Sequence, residues 1–203
     1  VAFALMQTGD EDVRLMLALR SGDGAAFDAL FARWSGPLLR YLQRIVRDAG
    51  SAEDLLQEVF LRVYRARERY EPEARFSTWL FTIATRLAWN EQRRPRHRRP
   101  HDSVDADAGN GPVLLVDGES SVDRVVDARR TGARVEQALR RLPERQRAAL
   151  WLAAVEGLSY AEVAVLLDTT DKSVKALVHR ARTGLATELA ALGHPGDRHG
   201  ETT

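Results

Sequence analysis

A chain of 203 residues with 44% hydrophobic and 29% charged side chains has the composition of a soluble globular protein, with length for two small domains. The absence of cysteine excludes disulfides, thiolate zinc sites and cysteine nucleophiles, and no apolar run approaches the ~18 residues of a membrane helix. The net charge of +1 hides two basic blocks, residues 1–101 and 128–203, around an acidic strip at 102–127 with seven acids and one arginine, a pattern that points to polyanion partners.

The apolar start at 1–6 has no cationic leader and is too short for a secretory segment, so the expected location is the cytoplasm with no stable membrane association of its own. Apolar residues then recur at intervals of three and four without strand-like alternation, which predicts an all-α fold. Residues 12–19, 25–34 and 37–46 read as two or three helices, with Ser21-Gly22-Asp23-Gly24 as a turn. Ser51, followed three places later by Asp54, reads as the capped start of the next helix, whose apolar face is Leu55, Leu56, Val59, Phe60 and Val63. Pro72 ends it near Tyr70. A further helix runs from Ser77 to about Arg94, with Leu80, Ile83, Ala84 and Leu87 inward.

Residues 95–121 are broken by Pro95, Pro100, Gly109, Gly111, Pro112 and Gly118 and form a flexible linker. The apolar run at 113–116 either docks on a neighbouring surface or is incidental. Beyond it, 125–142 is helical with Val135, Leu139 and Leu142 on one face. Pro143 opens another helix that buries Ala149, Leu150, Leu152 and Ala153 and stops at Gly157. The polar tail at 193–203 is expected to be disordered.

Ser159-Tyr160-Ala161-Glu162 is a capping box, with the serine oxygen and the glutamate each satisfying a free helix amide. The short helix behind it carries Val163, Leu166 and Leu167 inward and meets Asp168-Thr169-Thr170, residues suited to a tight turn and a second cap. The second helix buries Val174, Leu177, Val178, Ala181 and Leu185. Its other faces carry Lys172, Ser173, Lys175, Ala176, His179, Arg180 and Arg182, small, polar or cationic as a DNA groove requires. This is a helix-turn-helix in which Lys172, Ser173, Lys175 and Ala176 read base edges and Arg180 and Arg182 hold phosphate. Spacing alone also admits an ordinary helical hairpin with a solvated basic face.

Leu142-Pro143-Glu144-Arg145-Gln146-Arg147, Gly157-Leu158-Ser159-Tyr160-Ala161-Glu162-Val163-Ala164, Ser173-Val174-Lys175 and His179-Arg180-Ala181-Arg182 together resemble region 4 of bacterial extracytoplasmic-function (ECF) sigma factors, group 4 of the main sigma family. Residues 52–61 resemble region 2.2, and 76–84 with Asn90-Glu91-Gln92-Arg93-Arg94 resemble regions 2.3 and 2.4. The resemblance implies a region 2 domain at 1–95, an acidic linker at 96–128, a region 4 domain at 129–192 and a tail at 193–203. It implies a promoter-specificity subunit that binds core RNA polymerase through the β′ clamp helices and the β flap. It also implies recognition of −35 duplex and melted −10 DNA, and control by an anti-sigma factor.

Within that frame, Asp54, Gln57, Glu58 and Leu61 are the polymerase-binding positions. Asp54 and Glu58 lie four apart on a face opposite the apolar one, a fit for a basic helical partner unless Arg62 and Arg65 neutralise it internally. The −10 set is Arg75, Phe76, Ser77, Trp79, Arg86, Asn90, Arg93 and Arg94. Aromatic faces interleaved with cations, here Tyr70, Phe76, Trp79 and Trp89 among arginines, can hold unstacked bases, although Trp79 lies within helical reach of Ile83 and also suits a core. The loop 71–77 is where the family captures a flipped −10 base. The arginines at 93–99 either follow the phosphate backbone or keep the linker extended; their place beside the promoter-reading helix favours phosphate. The −35 set is Tyr160, Lys172, Ser173, Lys175, Ala176, His179, Arg180 and Arg182. Lys172-Ser173 replaces the Gly-Thr common in the family and Ala176-Leu177-Val178 its usual Ser-Arg-Leu, so the −35 sequence preference is not carried over.

An alternative is a stand-alone helix-turn-helix regulator whose N-terminal helices dimerise or sense a ligand; tight promoter binding without polymerase in a gel shift would favour it. An enzyme is not expected. The five histidines form no HExxH helix or comparable ligand set, no catalytic constellation appears, and no metal or cofactor is implied.

Overall fold

A computed structural model describes residues 2–46, 48–93 and 122–193, with side chains described from residue 11 in the first stretch and over 131–192 in the last. Among the described residues the chain is all-α, in two groups of four helices. The expected linker centre, the run at 113–116, the arginines from Arg94 to Arg99 and the tail beyond 193 lie outside the described residues.

α1 (Ala2–Arg20) and α2 (Gly24–Val46) are joined by the expected turn, where Gly22 holds φ +97°, a conformation L side chains rarely adopt. Of the two or three helices read over 12–46 the structure has two, with α2 running straight through Pro37. Leu30, Leu38, Tyr41, Leu42 and Ile45 form one buried face, and packing it on α3 and α4 outweighs the one backbone hydrogen bond proline removes. α3 (Ala49–Ala66) also differs at its start. Its cap is Asp48, whose carboxylate accepts from the Ser51 amide at 2.7 Å, so Ser51 supplies the capped amide rather than the cap. A 3-10 turn (Arg67–Arg69) brings the chain to Tyr70, and α4 (Phe76–Arg93) closes the bundle. In its core the Thr85 hydroxyl donates to Phe81 O, so the buried Tyr41 hydroxyl is the donor in its 2.7 Å bond to Thr85.

α5 (Val122–Arg141) takes in most of the helix expected over 125–142 and begins within the 96–128 segment that the resemblance assigned to the linker. α6 (Glu144–Ala154) follows Pro143 as its cap residue, and Gly157, at φ +69°, turns the chain out of it as expected. α7 (Tyr160–Leu166) and α8 (Asp171–Gly193) form the helix-turn-helix, with Asp168 at φ 50° in the turn between them.

The two groups pack on each other, α6 against α2 and α7 against α4. This placement explains α6. Ala148, Ala149, Leu150, Trp151 and Leu152 are all buried, a helix apolar all round because α8 covers one side and α2 the other.

Candidate nucleic-acid interface

The helix-turn-helix is built as its sequence dictates. Ser159 caps α7: its hydroxyl accepts from the Glu162 amide at 3.2 Å, while the Glu162 carboxylate accepts from the Ser159 amide at 2.8 Å and the Ser159 hydroxyl at 2.7 Å. Thr170 caps α8 by accepting from the Ser173 amide at 3.2 Å. Val163, Leu166, Leu167, Val174, Val178 and Ala181 are buried and lock the two helices together. Lys172, Lys175, Ala176, His179, Arg180 and Arg182 are exposed along α8, Ser173 is half-buried beneath them, and Tyr160 packs against the core at the start of α7. Arg145 ties the motif to its neighbour by donating to Leu167 O at 2.7 Å.

The N-terminal bundle presents two distinct surfaces. On α3, Asp54 and Gln57 are exposed, Glu58 pairs with Arg62 at 2.8 Å, and Leu61 is 48% exposed. Arg62 holds the Glu58 carboxyl below its ordinary range, as the internal-neutralisation reading anticipated, but Asp54 stays on the open face. On the same side of the bundle the structure adds Phe31 and Tyr64, both exposed, with Tyr64 edge-on to Phe27 and Phe31 tilted against Phe60. Sequence spacing missed this apolar patch because Phe31 comes from α2, and only tertiary packing sets it next to α3. Asn90, expected on the DNA side with Arg86, lines a groove with Asp54, Glu58, Arg62 and Glu91. It therefore faces the acidic surface.

The second surface is the loop before α4 and that helix's outer side. Arg75 and Ser77 are half-buried, and Arg86 and Arg93 are exposed. Phe76 departs from its expected role, being 0% exposed and packed on Trp34, Tyr70 and Trp79. The physical reason is its place on the inward face of α4's first turn, where burial of an aromatic ring outweighs any surface use. Tyr70 is buried as well, and Trp79 lies half-buried with its ring 5.1 Å from that of Tyr70. Trp89 is covered by the guanidinium of Arg145, 5.5 Å from the ring centroid. The aromatic set thus shapes the loop from beneath. Arg94 lies outside the described residues.

Contacts between the two groups add residues that sequence reasoning passed over. Arg147, 1% exposed, donates to Leu139 O, Arg140 O and Leu142 O at the end of α5, and across the interface to Ile45 O at 3.2 Å. Arg44 pairs with Glu136 at 2.7 Å and lies over the Trp151 ring. Glu162, besides its capping role, accepts from the Thr78 hydroxyl at 3.1 Å and stands 3.6 Å from Arg75. The sequence signal for this interface was the unbroken apolar run at 148–152, every residue of which is buried. Among the described residues no group of three or more metal-ligating side chains occurs, and no helix is long and apolar enough to cross a membrane.

Compared with known families, residues 30–99 match Sigma-70 region 2 and residues 132–185 match Sigma-70, region 4. The chain is 35% identical to the RNA polymerase sigma-H factor of Pseudomonas aeruginosa, over 92% of this chain and 98% of that one. It is 34% identical to the RNA polymerase sigma factor CarQ of Myxococcus xanthus over 87% and 97%, and 29% identical to the ECF RNA polymerase sigma-E factor of Escherichia coli K12 over 89% and 95%. In fold it is similar to CnrH solved with the cytosolic domain of CnrY, at a TM-score of 0.63 and 23% identity over 90% of this chain and 99% of that one. It is also similar to the sigma factor RpoE solved with the anti-sigma factor NepR from Bartonella quintana, at 0.62 and 23% over 81% and 96%.

Proposed function

This chain belongs to the extracytoplasmic-function family of bacterial RNA polymerase sigma factors, and from that membership we propose how its surfaces divide promoter recognition. The α3 face of Asp54, Gln57, Glu58 and Leu61, widened by the neighbouring Phe31 and Tyr64, docks on the β′ clamp helices of core polymerase. Acids around an exposed apolar centre suit a basic helical partner with apolar positions of its own. Arg75, Ser77, Trp79, Arg86 and Arg93 handle melted −10 DNA, with Phe76 shaping the loop from the core. Asn90, on the groove beside Asp54, belongs with the polymerase face.

Helix α8 enters the major groove of the −35 element, with Lys172, Ser173, Lys175 and Ala176 toward base edges and His179, Arg180 and Arg182 toward phosphate. Tyr160 orients α7 above it, and the region 4 group also meets the β flap. The observation that carries this division is the exposure of every cation on α8 while its opposite face is filled by core. The chain itself carries out no reaction; bond formation belongs to the polymerase. An anti-sigma factor completes the partner set, as NepR does for the Bartonella quintana protein of similar fold.

In vitro transcription with core polymerase on genomic DNA tests the proposal. Start sites should share −35 and −10 elements, and Asp54→Lys should abolish initiation by weakening the holoenzyme. Absence of promoter-specific starts, or tight promoter binding without polymerase, would refute it.

A further inference from the structure

We propose that Lys172 and Lys175 form an acylation switch, in which a small acyl phosphate transfers its acyl group to their amines and strips both positive charges from the −35 reader. It rests on the assignment of α8 to −35 DNA made above.

Of the 30 lysines and arginines in the chain, only Lys172 and Lys175 are lysines. The rest carry guanidiniums, which stay protonated and do not attack an acyl carbon, whereas a lysine amine can shed its proton and become a nucleophile. The chain has no cysteine, so no thiol competes for the acyl group. Every side-chain amine of the protein therefore sits within one turn of a single helix. Three residues apart, the two lysines share one side of α8, and both are exposed. Among the described residues neither is held by an ion pair.

The surroundings suit an anionic donor. Between Asp171 and Glu188 helix α8 has no acid, and the Glu188 carboxylate is taken by Arg141 at 2.7 Å. His179, Arg180 and Arg182 are exposed beyond the lysines, and Arg180 Nε donates to Ala176 O at 3.2 Å, which lays that side chain along the helix. A cationic face able to hold a DNA phosphate holds the phosphate of an acyl phosphate by the same chemistry, with the acyl carbon beside an amine.

The amine nitrogen then bonds to the acyl carbon, and the bond from that carbon to the phosphate oxygen breaks. Of the two protons the ammonium loses, one goes to solvent and one to the departing phosphate. The product is a neutral amide with a single N–H, which has lost both the attraction to phosphate and most of the donors a base edge accepts from. Helix α3 carries no lysine, so acylation leaves the polymerase face unchanged. The acylated chain still occupies polymerase but no longer reads the −35 element.

The test uses the full chain. Treated alone with acetyl phosphate and freed of reagent, it is assembled with untreated core polymerase and titrated with duplex from a promoter found in the transcription assay above. Peptide mass spectrometry locates the acetyl groups. The double variant Lys172→Arg, Lys175→Arg keeps both charges without a side-chain amine and is compared with its own untreated state, and circular dichroism confirms that helicity is intact.

Acetyl groups should appear on Lys172 and Lys175 and lower holoenzyme affinity for the duplex by about tenfold to hundredfold, with a salt slope smaller by about 2. Treatment should change the affinity of the double variant by less than about twofold, since its charges remain. Added inorganic phosphate should slow transfer from acetyl phosphate by about threefold or more and leave transfer from an uncharged N-hydroxysuccinimide ester of acetate as it was. Equal sensitivity of the two donors to phosphate would remove the docking step and overturn the proposal. So would acetylated protein that binds the duplex like untreated protein, or an equal loss in the double variant. Transcription by untreated protein separates the two readings: promoter-specific initiation that acetylation leaves unchanged sinks the switch alone, while no promoter-specific initiation sinks the assignment beneath it.

Discussion

Replacing Arg147 gives the sharpest physical test of how the two helical groups are held. Its guanidinium lies 3.4–3.5 Å from the carbonyls of Leu139, Arg140 and Leu142 at the end of α5, where carbonyls run out of the intrahelical amides that interior ones have, although Leu139 O also accepts from the Leu142 amide. The fourth acceptor, Ile45 O at 3.2 Å, ends α2 and is shared with the Gln92 amide. Arg147→Met keeps the volume and removes every donor. Ile45 O retains Gln92, and Leu139 O retains the Leu142 amide, so two carbonyls are left with the larger deficit and two with a smaller one. At about 1 kcal/mol for each strongly affected acceptor and about half that for each shared one, the loss is about 3 kcal/mol. Arg147→Lys keeps the charge but places one ammonium where a fork reached four acceptors, and should lose about half as much. Guanidinium unfolding followed by circular dichroism measures both. A loss under about 1 kcal/mol for Arg147→Met would show that water or a backbone shift satisfies these carbonyls and would refute the accounting.

Other expectations follow from single positions. Asp168 holds φ 50° in the turn of the helix-turn-helix, so Asp168→Gly should stabilise the chain by about 0.5–1 kcal/mol in the same unfolding assay, and a destabilised variant would mean its side chain does more than bear strain. Lys172→Ala should change the −35 base preferred in transcription from a promoter library. Arg182→Ala should instead weaken DNA binding across all sequences and lower its salt slope by about 1, and equal effects of both on every promoter would cancel that division. Glu162 has a folded pKa below its ordinary 4.5, so the stability it contributes is complete above that value and is lost as pH falls through the lowered folded value. Acid titration of helicity should accordingly show a component in that window that Glu162→Gln removes; an identical profile in the variant would show the carboxylate is not linked to folding.

Much of the −35 reader was legible in the chain because it is local. Ser159 and Glu162 are three residues apart, Thr170 and Ser173 likewise, and capping, turn and helix all follow from neighbours in sequence. The polymerase face was half legible: Asp54, Gln57, Glu58 and Leu61 share one helix, whereas Phe31 joins them only through the packing of α2 on α3. The −10 surface was the least legible. Aromatic and basic residues alternate there, but which rings stack on bases and which fill the core depends on what α1 and α2 place behind α4, and Phe76 and Tyr70 went inward. Ser51 was misread as a cap for a related reason, since the aspartate three residues before it takes that place.

The sequence by itself therefore determined the helical class, the helix-turn-helix and the family, each encoded in periodicities and caps that span a few residues. Only the tertiary structure decided that α6 lies between α8 and α2, that Arg147 bridges the ends of α5 and α2, and that Glu162 rests on Arg75. Those contacts join residues far apart in the chain, and no local pattern distinguishes a glutamate that merely caps its helix from one that also reaches across an interface.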